Sequence, residues 1–220
     1  MKKASSPSGR ALGAAFRLLL LGLLQLAPRP ARAESASARP PAAVQGISAD
    51  GVYGRFDGDL DLGLALGVEF GSAGQVAPML RASAHYFSIA GVYASGRIKA
   101  GEQSAPSLFG LGVDLRPLFV PRWAKGYEKG PGFFDLTLDS VSLSLGAFWA
   151  QRVEHAPEPN RGFDAQLGFG IPLLATADGP WFEVRGALRY PDGASREEAV
   201  LLALSWHGFV TTPFSRGSGL

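Results

Sequence analysis

Histidine, serine and carboxylate side chains could support nucleophilic catalysis, and the chain has three histidines, His85, His155 and His207. A nucleophilic serine needs a base within hydrogen-bond reach and a carboxylate that orients this base. His155 lies in a polar stretch beside Glu154 and Glu158, which is typical of a solvated loop. No G-x-S-x-G, H-E-x-x-H, Walker or G-x-G-x-x-G pattern is present. The sequence therefore favours a role other than catalysis.

Three carboxylates at alternate positions, Asp57, Asp59 and Asp61, could suggest a calcium loop. The EF-hand pattern requires glycine at its sixth position and glutamate at its twelfth, and these positions hold Leu62 and Val68. Spacing by two instead places all three carboxylates on one face of a strand. We expect them to pair with cationic side chains, and we expect no metal and no other cofactor.

The composition excludes further kinds of chemistry. The chain contains no cysteine, so disulfides, thiolate catalysis, cysteine-ligated zinc and a lipid-modified N-terminal cysteine are ruled out. The formal net charge of +2 includes six cationic residues from the first 33 positions, and without them the remainder carries about −4. Those six are Lys2, Lys3, Arg10, Arg17, Arg29 and Arg32. A nucleic-acid partner is therefore not expected.

Residues 1–33 have the pattern of an export signal. A positive leader precedes the apolar run 18–26, and Ala31-Arg32-Ala33 supplies the small-x-small pattern before a cleavage site. A membrane anchor is the alternative, but it needs about 20 apolar residues, and this run is about half as long. Residues 34–50, rich in proline and small residues, are predicted to form a flexible lead-in.

From residue 55 onward, hydrophobicity alternates with a period of two. In segment 60–70 the even positions are Leu, Leu, Leu, Leu, Val and Phe, whereas the odd positions are charged or small. Because successive strand side chains point to opposite faces, this segment predicts a long strand with one aliphatic face. Similar alternation recurs in segments 78–87, 91–99, 108–119, 140–150, 163–173, 182–190 and 200–207.

About eight strands predict a barrel over residues 51–210, followed by a C-terminal tail over 211–220. The stretch 120–139 is too long for a turn, and both an amphipathic interfacial segment and an irregular loop fit it. The proline-containing stretch 116–123 is interpreted as a strand end with Arg and Trp anchors at a membrane interface.

The class of barrel depends on which face of the strands, aliphatic or polar, points outward. A soluble barrel turns its aliphatic face inward, whereas a membrane barrel turns it toward lipid. An eight-stranded interior is just wide enough for side chains to fill it, and the aliphatic face would overfill it. We therefore predict an all-β, antiparallel, up-and-down transmembrane barrel of about eight strands.

The opposite face would then line the lumen, where charges of both signs can pair. The predicted charge network consists of Asp57, Asp59, Asp61, Glu69, Arg81, Arg97, Asp114, Arg116, Asp164, Glu183, Arg185 and Arg189. Aromatic residues near strand ends would suit interfacial girdles. These are Phe56, Phe70, Tyr86, Phe119, Trp149, Phe163, Trp181, Tyr190 and Trp206.

With its export signal, absent cysteines and about eight alternating strands, the chain resembles the small outer-membrane β-barrels, the class of the OmpA membrane domain, OmpX and NspA. The resemblance covers roughly residues 51–210. It implies a Gram-negative outer membrane, periplasmic termini, longer external loops, lipid contacts and insertion by the barrel-assembly machinery. In such barrels the chain usually ends on a strand, whereas this chain continues past Phe209, and its 120–139 connection falls on the side of short turns.

The resulting hypothesis is a structural or interaction protein with a polar, salt-bridged, largely plugged lumen. Its external loops, especially 151–162, would bind any external partner, whose identity the sequence does not give. The alternatives are a narrow, porin-like pore or small-solute carrier, then a lipid-modifying outer-membrane enzyme, then a soluble periplasmic barrel of the lipocalin type. Because His85 and His207 would point into the lumen, a lipid-facing catalytic site is not favoured.

Overall fold

The computed structural model describes residues 53–72, 74–100, 106–127, 130–151, 161–193 and 195–212. The eight strands are β1 Leu60–Gly71, β2 Val76–Tyr86, β3 Ala90–Arg97, β4 Leu108–Leu115, β5 Ser142–Ala150, β6 Arg161–Pro172, β7 Gly179–Pro191 and β8 Glu197–Val210. Two short helices, α1 Phe119–Ala124 and α2 Gly132–Asp139, lie in the connection between β4 and β5.

The strands form one closed barrel. Each strand pairs antiparallel with the next along the chain, and β1 also pairs with β8, which leaves no open edge. Leu60, at the start of β1, lies opposite both Tyr86 and Val210. The predicted fold, an all-β up-and-down barrel of eight strands, is thus confirmed.

The alternation in β1 sets which side chains are enclosed. Leu66 is 65% exposed on the outer surface, whereas Asp61 on the opposite face is 1% exposed. Leu62 and Leu64 also face outward, and Ala65 is buried inside. Because a shift of one residue would exchange the two faces, this pattern fixes the register of the strand.

Two facing glycines make room for a large side chain inside the barrel. Gly112 of β4 lies opposite Gly146 of β5, and the buried Tyr93 ring of β3 packs against both. A Cβ atom at Gly112 would lie 2.7 Å from the Tyr93 ring, and one at Gly146 would lie 2.6 Å from its hydroxyl oxygen. Small residues on the inward face therefore allow a narrow barrel to enclose an aromatic ring.

The barrel has two different ends. One, which we call the terminus end, contains the start of β1, the end of β8, the turns 87–89 and 173–178, and the helical connection 116–141. The other, which we call the loop end, contains the connections 72–75, 98–107, 151–160 and 192–196.

At the terminus end, the long connection is helical and packs against the barrel. Leu136 of α2 is fully buried in a cluster with Tyr53, Ala177 and Trp181, and Phe209 packs against this cluster. Ser140 also bonds both the carbonyl oxygen and the N–H of Gly170 on β6, at 2.8 and 2.7 Å. We call the two helices and their linker the helical cap.

Several sequence predictions need correction here. The strand predicted over 108–119 ends at Leu115, because Pro117 cannot donate to a ladder and the chain turns into α1. Phe119 and Trp181, predicted as girdle residues, are instead buried. Phe119 is the buried first residue of α1, and Trp181 packs against the cap. The remaining predicted girdle residues are exposed: Phe56, Phe70, Tyr86, Trp149, Phe163, Tyr190 and Trp206.

Within the part of the chain that the structure describes, no helix is long and apolar enough to cross a membrane. The predicted signal peptide (1–33) and lead-in (34–50) lie outside the described residues, as does residue 213 onward of the predicted tail. These segments stay predictions.

Replacing Gly112 with alanine should lower the free energy of unfolding by about 1–3 kcal/mol, because the new methyl group would overlap the β5 backbone at Leu145 and Gly146 as well as the Tyr93 ring. The matched control is Gly208→Ala, since no atom lies within 4 Å of a Cβ at that position. Urea unfolding in detergent micelles, followed by tryptophan fluorescence, measures both changes. Equal stability of the two variants would show that the close packing of β4, β5 and Tyr93 does not require glycine at position 112.

Candidate functional site: the charged barrel interior

The inward faces of the strands bring charged residues from distant parts of the chain together. Of the predicted network, these are buried: Asp59, Asp61, Glu69, Arg81, Arg97, Asp114, Asp164, Glu183, Arg185 and Arg189. Arg116, just after β4, also reaches the interior, with 13% of its side chain exposed. Strand alternation accounts for this convergence, because every second residue of a closed barrel points inward.

At the loop end, Glu69 binds two guanidinium groups from across the lumen. Arg189 of β7 donates from its two terminal nitrogens to the two Glu69 oxygens, at 2.7 Å each. Arg97 of β3 donates to the same carboxylate at 2.5 Å. β1 is thus tied to two strands that are not its neighbours in the sheet.

In the middle of the barrel, Arg81 forms the centre of a second cluster. Its guanidinium donates to the side-chain oxygens of Gln166 (3.1 Å) and Ser144 (3.2 Å) and lies 3.4 Å from the Asp114 carboxylate. It also stacks over the Tyr93 ring, with 4.0 Å to the ring centre. The sequence analysis missed Gln166, Tyr93 and Ser144, although all three occupy inward positions of their strands.

Neighbouring contacts extend this cluster around the lumen. Arg185 donates to Glu183 at 3.1 Å and to the Ser142 hydroxyl at 2.9 Å, and one of its terminal nitrogens lies 3.9 Å from Asp114. Asp164 accepts hydrogen bonds from Gln166 at 2.5 Å and from the Tyr93 hydroxyl at 3.2 Å.

Near the terminus end, two histidines lie between carboxylates. Asp61 accepts a hydrogen bond from Arg116 at 2.7 Å, and one nitrogen of His207 lies 3.1 Å from its other oxygen. The second His207 nitrogen lies 3.4 Å from Glu183. His85 contacts Asp114 at 2.9 Å, and its other nitrogen lies 3.8 Å from Asp61.

These contacts favour ion pairing over catalysis. Both histidines lie against carboxylates, and the Ser144 hydroxyl donates to Asp114 at 2.6 Å and not to a base. Both rings point into the barrel interior, as the alternation predicts. In the described ranges, no group of three or more His, Asp or Glu side chains is arranged to hold a metal ion.

A separate ion cluster fixes the helical cap. Asp135 and Asp139 lie one turn apart on α2, and Arg122 of α1 donates to both, at 2.5 and 2.7 Å. Arg55, before β1, donates to the second Asp139 oxygen at 2.7 Å, and Tyr53 donates to Asp135 at 2.9 Å. The sequence analysis missed this cluster, and the spacing of four between the two aspartates was the available signal.

A small polar cavity separates the cap from the lumen network. It has about 20 Å³ of space for water centres, enough for one or two waters. Its lining includes Arg55, Ser88, Arg116, Asp139, Glu183 and His207. Residues of both charge clusters therefore line the same cavity.

The triplet of alternate aspartates does not act as a unit. Asp57 is exposed and lies in the turn before β1, so its prediction as a lumen residue is wrong, because the strand begins only at Leu60. Asp59 accepts hydrogen bonds from Thr212, from the backbone N–H at 2.5 Å and from the hydroxyl. These bonds lower the pKa of Asp59 below its ordinary value.

Among the lumen carboxylates that face a guanidinium group, acids and arginines are equal in number; Asp59, which is bound by Thr212, is outside this count. Five carboxylates, Asp61, Glu69, Asp114, Asp164 and Glu183, face five guanidinium groups, Arg81, Arg97, Arg116, Arg185 and Arg189. The pairing is not fully hydrogen-bonded, because the Nε of Arg189 and one Asp164 oxygen face each other at 3.7 Å without a bond. Removing one partner would leave a buried charge uncompensated, which costs more than the pair contributes.

Comparison with known proteins finds likeness only at the level of solved structures. No protein-family model matches the chain, and the curated proteins give no match. A de novo designed transmembrane β-barrel has 8% sequence identity and a TM-score of 0.43, and the likeness covers 67% of this chain and 95% of that one.

Two natural proteins are similar in the same way. The N-terminal β-barrel domain of Pseudomonas aeruginosa OprF has 11% identity and a TM-score of 0.40, covering 67% of this chain and 97% of that one. Ail, the attachment invasion locus protein of Yersinia pestis, has 11% identity and a TM-score of 0.34, covering 68% and 96%. The fold is that of a small eight-stranded barrel. This assignment rests on the strand pairing described above.

Replacing Glu69 with glutamine should lower the free energy of unfolding by about 3–5 kcal/mol, because Arg97 and Arg189 lose the charge that both contact. Glu198→Gln is the matched control: its pair with Arg196 is exposed, so a change below about 1 kcal/mol is expected. Urea unfolding in micelles compares the two. Similar losses in both variants would contradict an energetic role for the enclosed cluster.

Proposed function

We propose that this protein is an outer-membrane barrel with a closed, ion-paired lumen, which acts as a scaffold for interaction through its loop-end connections. The proposal rests on the difference in polarity between the outer and inner faces of the barrel. The outer face is aliphatic and aromatic, and the enclosed face holds equal numbers of carboxylates and guanidinium groups.

The outer face supports a lipid environment. Leu62, Leu64 and Leu66 project from β1 into the surroundings, and Phe109, Leu111 and Val113 do so from β4. In water this continuous apolar wall would far exceed the patches that soluble monomers expose. In a bilayer the same wall is favourable, because a closed barrel leaves no backbone group unpaired.

The enclosed face supports a lumen that does not conduct. An eight-stranded interior is nearly filled by side chains, and here Tyr93, Phe148 and Arg81 lie inside it with almost no exposure. The helical cap packs against the terminus end, and the cavity that cap and lumen residues line together has room for only one or two waters. We therefore expect no continuous path for a hydrated solute through these layers.

The loop end supports the interaction role. Its connections 98–107, 151–160 and 192–196 join rigid strands, and loops held by such a scaffold are common binding sites. The resemblance to small outer-membrane barrels implies that this end faces outward. Export by the predicted signal peptide and insertion by the barrel-assembly machinery complete the proposal, and the external partner stays unidentified.

Membrane insertion predicts that the protein stays in the pellet when membranes are washed with alkaline carbonate. Leu64→Lys should lower the free energy of unfolding in vesicles by about 2–4 kcal/mol, because a cation then faces the lipid core. The control Leu64→Val keeps the apolar surface and should stay close to the wild type. Release of the wild-type protein into the carbonate wash would reject insertion and favour a soluble barrel.

A closed lumen predicts that the protein does not conduct ions across a bilayer. The protein refolded into planar bilayers should give no discrete conductance steps, and a heat-dependent shift in gel mobility of the same preparation would verify that it is folded. Reproducible single-channel steps would contradict the closed lumen and favour a narrow pore.

A further inference from the structure

Four aromatic rings are in contact at the terminus end, and we call them the rim cluster: Phe56, Tyr86, Phe87 and Trp123. The ring centre of Phe56 lies 5.4 Å from that of Trp123 and 6.2 Å from that of Phe87, both edge-on. Tyr86 and Phe87 lie 4.6 Å apart. These rings come from three separate segments: the N-terminal lead into β1, the turn after β2, and α1.

The rim cluster continues the outer wall of the barrel onto the helical cap. Tyr86 is the last residue of β2 and faces outward, in line with the lipid-facing wall. From it, ring contacts run through Phe87 and Phe56 to Trp123 on α1. The apolar surface therefore extends beyond the ends of the strands onto helix α1.

The backbone around the cluster takes an unfavourable conformation. Phe87 and Ser88 have φ angles of 47° and 55°, in the left-handed region where side chains with a Cβ are disfavoured. The turn directs the Phe87 ring into the cluster and buries Ser88. Contacts in the rim must therefore offset this cost.

The cluster is exposed despite its internal contacts. Phe56 is 41% exposed, Trp123 46% and Tyr86 54%. Phe119, on the other side of α1, is buried, and the Arg55 guanidinium lies over its ring at 4.5 Å. The helix thus has one face against the barrel mouth and one face that no described residue covers.

The charge of the same segment indicates what covers it. Residues 116–127 contain three cations and no acidic residue. Arg116 and Arg122 are bound to carboxylates of the barrel and the cap, whereas Lys125 is exposed, two residues after Trp123. Exposed aromatic rings beside an exposed lysine suit the boundary between acyl chains and phosphate headgroups.

We propose that the rim cluster and the outer face of α1 bind the phospholipid interface of the membrane leaflet at the terminus end, so that the helical cap is anchored in the membrane and not suspended in water. This inference rests on the proposed membrane function. The continuity of the cluster with the lipid-facing wall commits it to lipid.

Depth-dependent quenching tests the proposal. The chain has no cysteine, so single cysteines can carry an environment-sensitive fluorophore without background labelling. Val120→Cys places the label on the exposed face of α1, one turn before Trp123, and Leu64→Cys places it on the mid-wall of β1. The full chain is refolded into phosphatidylcholine–phosphatidylglycerol vesicles that contain lipids with a spin label at the headgroup, at carbon 5 or at carbon 12.

The label at position 120 should be quenched most by the headgroup and carbon-5 lipids, and the label at position 64 most by the carbon-12 lipid. Replacing Phe56 and Trp123 with serine should reduce quenching at position 120 at least about twofold, because the aromatic contacts with the interface are lost. The matched control Tyr190→Ser removes an exposed aromatic residue at the loop end and should leave that quenching unchanged.

The label at position 64 tests membrane insertion, and the label at position 120 tests the anchoring of the cap. If position 64 is quenched and position 120 is quenched only by aqueous iodide, the anchor is wrong, and the rim cluster is open to a soluble partner. If position 64 is not quenched by any lipid, membrane insertion itself is wrong. Quenching at position 120 that survives the double serine variant would also overturn the role of the rings. Gel mobility of each variant, heated and unheated, confirms that it is folded.

Discussion

Each enclosed carboxylate of the described lumen lies against a guanidinium group, and the register of the whole barrel depends on this pairing. The partners are distant: Glu69 on β1 binds Arg189, 120 residues later in the chain. Neither of its two guanidinium partners lies on a strand next to β1, so the contacts form across the lumen only when the sheet is closed. A slip of one residue would leave charges unpaired and turn them to the apolar outer face, and both changes are costly. The ion pairs thus select one closed arrangement more than they add stability.

The same constraint explains the unusual inward face, where glycine, serine and alanine alternate with large charged residues. Long side chains that reach across a narrow lumen need small residues opposite them. Gly112 and Gly146 supply this space for Tyr93, whose ring in turn supports the Arg81 guanidinium. Histidine extends the network, because one nitrogen of His207 lies 3.1 Å from Asp61 and the other 3.4 Å from Glu183. The ring donates to both carboxylates only when both of its nitrogens carry a proton. Polar contacts and packing are therefore parts of a single arrangement.

The period of two was enough to predict the strands, their faces and most of the lumen network, because alternation is a local property that a closed barrel converts directly into inside and outside. It could not predict what happens where the alternation stops. Asp57 continues the pattern of β1 but precedes the first paired residue, so it lies in a turn. Trp181 is an aromatic residue near a strand end, but it shares the inward face of β7 with Glu183 and Arg185. Alternation thus places its ring inside, where it packs against Leu136, and aromatic type alone is a poor guide to the girdle. The left-handed turn at Phe87 and Ser88 has no sequence signature, since neither residue prefers that conformation.

The helical cap shows why this part of the fold depends on the barrel. At eight residues, α2 is shorter than the roughly 12–15 residues that an isolated helix needs in water. Its stability must come from contacts beyond the helix: Leu136 packs against Trp181 of β7, and Arg122 and Arg55 bind the Asp139 carboxylate from two other segments. Since Trp181 lies on a barrel strand, the stability of the cap depends on the paired strands beneath it. The cap joins the segment before β1 to the β4–β5 connection and the β6–β7 turn, so these parts of the terminus end are held together.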